Sequence, residues 1–184
     1  MIENTIPEYV WSKWRNSLSW AMAECAYDHA MKFHGSRADL ALNLACGSDN
    51  SRDNRDDLLE LPYGPFLTRF LSYHGIPSVN IDVVNQGGSD LSLPLTRFYK
   101  ADIYTFNYPA LLEDYPGGFD IVFCNNVIEN PTIHYRGLMP SRVKDSIEYI
   151  LQAISPIVVE RGIIKIDNQI FRMNSGQIEL IYSN

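Results

Sequence analysis

Cysteine pairs and long apolar runs are both scarce in this sequence of 184 residues. Its three cysteines, Cys25, Cys46 and Cys124, include no Cys-x-x-Cys pair, so we predict neither a disulfide framework nor a metal site and interpret the thiols as small core residues. No apolar run approaches the ~20 residues that span a bilayer, and the amino terminus lacks the basic-then-apolar order of a signal peptide. We therefore expect a cytoplasmic protein without a membrane partner.

Basic residues are also few. The 15 lysines and arginines are outnumbered by 22 acidic residues, which gives a net charge of −7 and no general attraction to phosphate backbones. Nucleic acid is therefore a disfavoured partner. Because 46% of the 184 residues are hydrophobic, the chain can bury one full core. We expect a single domain over 1–184, with a helical region at 1–37 and an α/β core at 38–184.

The amino-terminal region carries an apolar pattern with helical spacing. It predicts one long helix from about Pro7 to Phe33, capped by Thr5 and stopped by Gly35. We expect this stripe to pack on the sheet layer, with a lid over a ligand as the alternative. The residues of the stripe are Trp11, Trp14, Leu18, Met22, Cys25, His29 and Phe33.

Short apolar runs then alternate with helical patterns, which predicts crossover units and a doubly wound, mostly parallel α/β sheet. Two polar stretches, 49–62 and 85–94, are interpreted as loops at the carboxyl ends of strands, where open parallel sheets bind ligands. Helices are predicted over Pro65–Tyr73 and up to Ile154. The predicted strands are Leu40–Ala45, Val79–Val84, Phe98–Ala101, Phe119–Cys124 and Ile163–Ile166.

The first strand ends in Leu42-Asn-Leu-Ala-Cys-Gly-Ser-Asp49, and acidic residues follow the next two strands at Asp82 and Asp102. The fourth strand lies in Gly118-Phe-Asp-Ile-Val-Phe-Cys-Asn-Asn-Val-Ile-Glu-Asn130. In this order, the segments resemble the motifs of class I (Rossmann-like) S-adenosylmethionine (SAM)-dependent methyltransferases. A dehydrogenase instead needs Gly-x-Gly-x-x-Gly, and here no glycine follows Gly47 until Gly64.

The resemblance implies a Rossmann-like methyltransferase fold that binds SAM and releases S-adenosylhomocysteine (SAH). It implies that Asp82 accepts hydrogen bonds from ribose hydroxyls and that Asp102, with the backbone N–H of Ile103, binds adenine. The candidate catalytic base is His134, whose ordinary pKa suits proton transfer near neutral pH. The full set of candidate cofactor-binding residues is Asn43, Ala45, Cys46, Gly47, Ser48, Asp82, Val83, Asp102, Ile103, Asn125 and Asn126.

Several positions depart from the family pattern: Ala45 and Asp49 replace glycines, and Asn130 replaces a histidine. Two hypotheses therefore stay open, an enzyme that methylates a small molecule and a SAM-binding module without turnover. After the fifth strand the 18 residues from Asp167 to Asn184 are too few for the family's usual helix and last two strands. We expect either one last strand, Gln177–Tyr182, or a hairpin of Gln169–Met173 with it, and a homodimer at this shortened edge.

Overall fold

The computed structural model describes residues 6–47, 65–83, 88–125 and 143–183. The strands in these segments are β1 (Ala41–Leu44), β2 (Ser78–Asp82), β3 (Thr96–Lys100), β4 (Phe119–Cys124), β5 (Val158–Ile166), β6 (Gln169–Asn174) and β7 (Gln177–Ser183).

The described strands form one sheet in the order β3-β2-β1-β4-β5-β6-β7. The pairs among β1 to β5 are parallel, whereas β6 is antiparallel to β5 and β7 is antiparallel to β6. The predicted doubly wound, mostly parallel sheet is thus confirmed. The end of the chain forms the hairpin alternative, β6 and β7 around Asn174-Ser175-Gly176.

Helices cover both faces of the sheet. On one face, α1 (Glu8–Arg15), α2 (Leu18–His34) and α3 (Phe66–Tyr73) share an apolar core with alternate residues of β1, β4 and β5. On the other face, α4 (Leu111–Asp114) and α5 (Val143–Ile154) cover the remaining strand residues. Because both faces are covered, the central parallel strands are mostly apolar and buried, as in Phe119–Cys124 of β4, where only Asp120 is not fully buried.

The prediction of one amino-terminal helix is wrong, because the chain breaks between α1 and α2. Ser17 caps α2: its hydroxyl oxygen accepts from the Trp20 N–H at 3.1 Å and donates to the Trp14 carbonyl at 2.7 Å. The break shifts the helical phase, so Trp20 is buried while Leu18 is 79% exposed and Met22 is 54% exposed. Pro7 precedes α1 as its N-cap, Gly35 ends α2 with φ of 81°, and the predicted cap Thr5 lies outside the described residues.

The amino-terminal helices nevertheless pack as core, as expected. The rings of Trp11 and Trp14 meet edge to face at 5.2 Å, and Trp20 packs on Phe70 of α3 at 5.5 Å. Cys46 and Cys124 are buried as predicted. The expectation is wrong for Cys25, which is exposed because it follows the outward phase of α2.

A buried ion pair joins α1, α3 and the turn before β3. Arg69 and Asp90 are each 1% exposed and form two hydrogen bonds, at 2.7 and 2.8 Å. The Arg69 guanidinium also lies 4.1 Å from the centre of the Trp14 ring. Asp90 belongs to a 3-10 turn, Gly88–Ser92, within the stretch predicted as a loop, so part of that stretch anchors the fold.

Strand β5 begins five residues earlier than predicted, at Val158 instead of Ile163. It contains a bulge opposite the start of β4, where Arg161 has φ of 66°. A Cβ on Gly162 would lie 2.7 Å from a Val158 methyl group, so the bulge requires glycine there. None of the helices in the described segments is long and apolar enough to cross a membrane.

Candidate functional site

The chain leaves β1 through a turn at the carboxyl edge of the sheet. Ala45 and Gly47 both have left-handed backbone conformations, with φ of 51° and 80°. Glycine adopts this conformation readily, so Gly47 suits its position. Ala45 adopts it as well, although its Cβ makes the conformation less favourable. The Cys46 N–H donates to the Ile81 carbonyl at 3.3 Å, which holds the turn against β2.

Asp82 ends β2 beside this turn. Its Oδ2 accepts the Gly47 N–H at 2.8 Å, so the structure brings together the glycine and the acidic residue that the sequence singled out. Its backbone carbonyl accepts the Ala101 N–H at 2.8 Å, which ties the end of β2 to the residue after β3. Burial raises the pKa of the Cys46 thiol well above its usual range, and the Asp82 charge adds to that rise. Cys46 is therefore a neutral thiol under the turn.

Asp102 occupies the corresponding position after β3. Its carboxylate is exposed and accepts the Tyr104 N–H at 2.9 Å, which fixes the turn. The next residue, Ile103, is buried in the core, and its carbonyl accepts the hydroxyl of Tyr108 at 2.7 Å. The Asp102 carboxylate is thus open to solvent, while the buried Ile103 next to it holds the backbone of the turn in place. Val83 is 58% exposed, immediately after β2.

Asn43 belongs to a buried polar chain beneath the site. Its amide donates to Thr68 at 3.0 Å, and the Thr68 hydroxyl donates to Asn80 at 2.6 Å. These bonds fasten β1 and β2 to α3, so they position the strands whose ends carry Gly47 and Asp82. The side chain of Asn43 is committed to this internal chain, and its assignment to cofactor binding stays a prediction.

Asn125 follows β4 and contacts a residue that the sequence analysis missed. Lys165 of β5 is 7% exposed, and its ammonium donates to Asn125 Oδ1 at 2.9 Å and to the Asp167 carbonyl. Burial lowers the pKa of Lys165, while the Asp167 charge acts in the opposite direction. The signal was present in the sequence: Lys165 interrupts the apolar run Ile163–Ile166, and lysine is rarely buried without a partner.

Three predicted site residues, Ser48, Asn126 and His134, lie outside the described residues. The candidate base is therefore a prediction from the sequence alone. Among the residues that are described, no cluster of three or more His, Cys, Asp or Glu side chains is arranged to hold a metal ion. The described site consists of a glycine turn, two carboxylates at the ends of neighbouring strands, and a lysine hydrogen-bonded to an amide.

The chain has the Rossmann-like fold of the class I SAM-dependent methyltransferases. Among solved structures it is similar to the sugar N-methyltransferase KedS8 from Streptoalloteichus sp. ATCC 53650, with a TM-score of 0.51 and 11% identity over 96% of this chain and 75% of that chain.

Two other similar structures are reported as complexes with SAH. The N-methyltransferase NodS from Bradyrhizobium japonicum WM9 has a TM-score of 0.49 and 9% identity, over 82% of this chain and 62% of NodS. The plantazolicin methyltransferase BpumL has a TM-score of 0.47 and 13% identity, over 85% of this chain and 51% of BpumL. The chain thus covers less than two thirds of either. No protein-family model matches the sequence, and a search of curated proteins found no match.

Proposed function

We propose that this chain is a SAM-dependent methyltransferase that acts on a small-molecule acceptor. The observation that carries the proposal is the 2.8 Å hydrogen bond from the Gly47 N–H to Asp82, because it joins the glycine turn of β1 to the carboxylate of β2. Asp102 follows the next strand, β3, along the same edge. A nucleoside lying across these strand ends meets one close backbone approach and two acceptors in succession.

Each residue has a defined part in this proposal. Asp82 accepts the two vicinal ribose hydroxyls; a carboxylate has about four acceptor sites, so its bond to Gly47 is compatible with this role. Asp102, whose carboxylate is exposed, accepts from the adenine amino group, and the Ile103 N–H donates to a ring nitrogen. SAM supplies an electrophilic methyl group on a sulfonium, and SAH is the product.

The protein's main contribution to methyl transfer is alignment of the acceptor and exclusion of water. Proximity alone is worth up to ~7–11 kcal/mol in favourable cases. A base is needed only for an acceptor that arrives protonated, and we propose His134 for that step. The net charge of −7 favours a small-molecule acceptor over nucleic acid. We further propose a homodimer through β7, which is one of the two outer strands of the described sheet.

A second candidate function is a SAM-binding module without turnover. The observation in its favour is Ala45, which has φ of 51° at a position where the resemblance expects glycine. The Cβ of Ala45 leaves less space for a cofactor beside the turn than a glycine would. Release of SAH from SAM, measured with a pool of small-molecule acceptors, separates the candidates: the enzyme produces SAH, and the module binds SAM without producing it.

Calorimetric titration with SAH tests the binding site. Asp82→Ala removes charge-assisted hydrogen bonds worth ~1.5–3 kcal/mol each, so we expect affinity to fall at least about tenfold. Asp82→Asn retains an oxygen that can accept from Gly47 but loses the charge, and we expect an intermediate loss. Asp114→Ala, at an exposed carboxylate on α4, is the matched control and leaves SAH binding unchanged. Unchanged SAH affinity in Asp82→Ala contradicts the proposed site.

A further inference from the structure

Lys165 is a buried cation whose acceptors among the described residues are all neutral. Its residue is 7% exposed, and no carboxylate in the described part of the chain forms an ion pair with it. An ammonium has three N–H donors. Among the described residues, two of them have acceptors, Asn125 Oδ1 and the Asp167 carbonyl, and the third has none. Burying a cation in this way is costly until an anion compensates its charge.

The lysine also fixes the orientation of the Asn125 amide. Because an ammonium only donates, the atom 2.9 Å from Lys165 Nζ is the amide oxygen of Asn125. The amide NH2 group therefore points away from the lysine, and its two N–H donors have no acceptor among the described residues. Together, the two side chains offer N–H donors and a positive charge, which suit a carboxylate better than an ammonium or an amine.

The charges around the lysine leave room for an anion. The Asp167 carboxylate raises the pKa of Lys165, but desolvation outweighs it and the net shift is downward. Cys25 of α2 and Cys124 of β4 also act to raise the pKa of Lys165, and the lysine in turn helps to lower the pKa of His29. The negative charge of the described residues therefore only partly offsets the burial of the ammonium.

The order of the strands gives the location of this pair along the proposed cofactor. The sheet runs β3-β2-β1-β4-β5, with Asp102 after β3, Asp82 at the end of β2 and the glycine turn after β1. If adenine and ribose occupy the first two positions, the rest of the cofactor continues towards β4 and β5. The Lys165 ammonium reaches back from β5 to Asn125 after β4, and neighbouring strands are only ~4.8 Å apart.

We propose that Lys165 and Asn125 bind the carboxylate of the cofactor's amino-acid moiety, an inference that rests on the proposed function. The ammonium supplies the countercharge, and the Asn125 NH2 group donates a second hydrogen bond. Lys165 is thereby assigned as a binding residue whose role is separate from recognition of the nucleoside.

Calorimetry with two probes tests this assignment: SAH, which has the carboxylate, and 5′-methylthioadenosine, which retains the nucleoside and the thioether but lacks the amino-acid group. In Lys165→Met, we expect SAH affinity to fall by about tenfold to a hundredfold, the equivalent of one charge-assisted hydrogen bond, while 5′-methylthioadenosine affinity stays within about twofold. Lys13→Met, at an exposed lysine of α1, is the matched control and leaves both affinities unchanged.

Asn125→Asp is the second variant. It keeps an oxygen for Lys165, and so preserves the internal contact, but it places a negative charge where the ligand carboxylate would lie. We expect it to weaken SAH and spare 5′-methylthioadenosine. Unchanged SAH affinity in both variants overturns the inference, as does an equal loss of both probes, which would assign Lys165 to the fold. If neither probe binds the wild-type protein, the proposed function itself fails.

Discussion

The buried pair of Arg69 and Asp90 makes the stability of the amino-terminal layer depend on one carboxylate. Both side chains are 1% exposed, with two hydrogen bonds of 2.7 and 2.8 Å, and the guanidinium stacks on Trp14. Asp90→Asn preserves the shape of the side chain but leaves a buried cation without its countercharge. Breaking a buried pair in this way costs ~3–5 kcal/mol. With a urea m value of about 2 kcal/mol/M, the unfolding midpoint falls by about 1.5–2.5 M.

Equilibrium unfolding in urea, followed by tryptophan fluorescence, measures this effect. The matched control is Asp114→Asn, which breaks the ion pair between Asp114, 50% exposed, and Arg97, 52% exposed. Because solvent screens exposed pairs, we expect the unfolding midpoint of this variant to match that of the wild type. Adding salt should leave the Asp90→Asn deficit almost unchanged, because a buried pair is screened little. A deficit no larger than that of Asp114→Asn would refute the reasoning.

The other two predictions concern the helix break and the pH dependence of stability. Ser17→Ala removes the α2 cap and should lower the free energy of unfolding by ~0.5–2 kcal/mol in the same urea assay, with exposed Ser36→Ala as a control that has little effect. Burial lowers the pKa of His29, so the unfolded chain binds more protons than the folded one as the pH falls below about 6.5. Stability should therefore decrease from neutral to mildly acidic pH, and His29→Gln should reduce that slope in thermal unfolding measured across the pH range; an identical slope would contradict this assignment.

The central strands could be predicted from the sequence because they are mostly apolar and are buried on both faces. The predicted bounds of β4, Phe119–Cys124, match the structure, and α3 begins one residue after its predicted start at Pro65. The break at Ser17 could not be read from periodicity, since apolar residues occur in both possible phases of the following helix. In α2, the buried face carries Trp20 and Ala23. The predicted stripe instead runs through Leu18, which is exposed to solvent.

Part of the candidate site could likewise be predicted from the sequence, and part of it required the structure. Asp82 was predictable because a carboxylate after a parallel strand lies at the edge where such sheets bind ligands, and its contact with Gly47 follows from the adjacency of β1 and β2. Lys165 was missed because the run Ile163–Ile166 was interpreted only as an apolar strand, although a lysine interrupts it. The orientation of Asn125 depends on this lysine, so it required the pairing of β4 with β5.

The two buried cations Arg69, in α3, and Lys165, in β5, have different kinds of partner. Both are less than a tenth exposed, but Arg69 is neutralised by Asp90 from its own chain, whereas Lys165 is held by an amide oxygen and a backbone carbonyl. The Arg69–Asp90 pair is structural, because removing either partner leaves the other as an uncompensated buried charge. Neutral acceptors orient the second cation without cancelling its charge, so it keeps its attraction for an anion that arrives from outside the chain. The difference between these partners is the reason for assigning Arg69 to stability and Lys165 to binding.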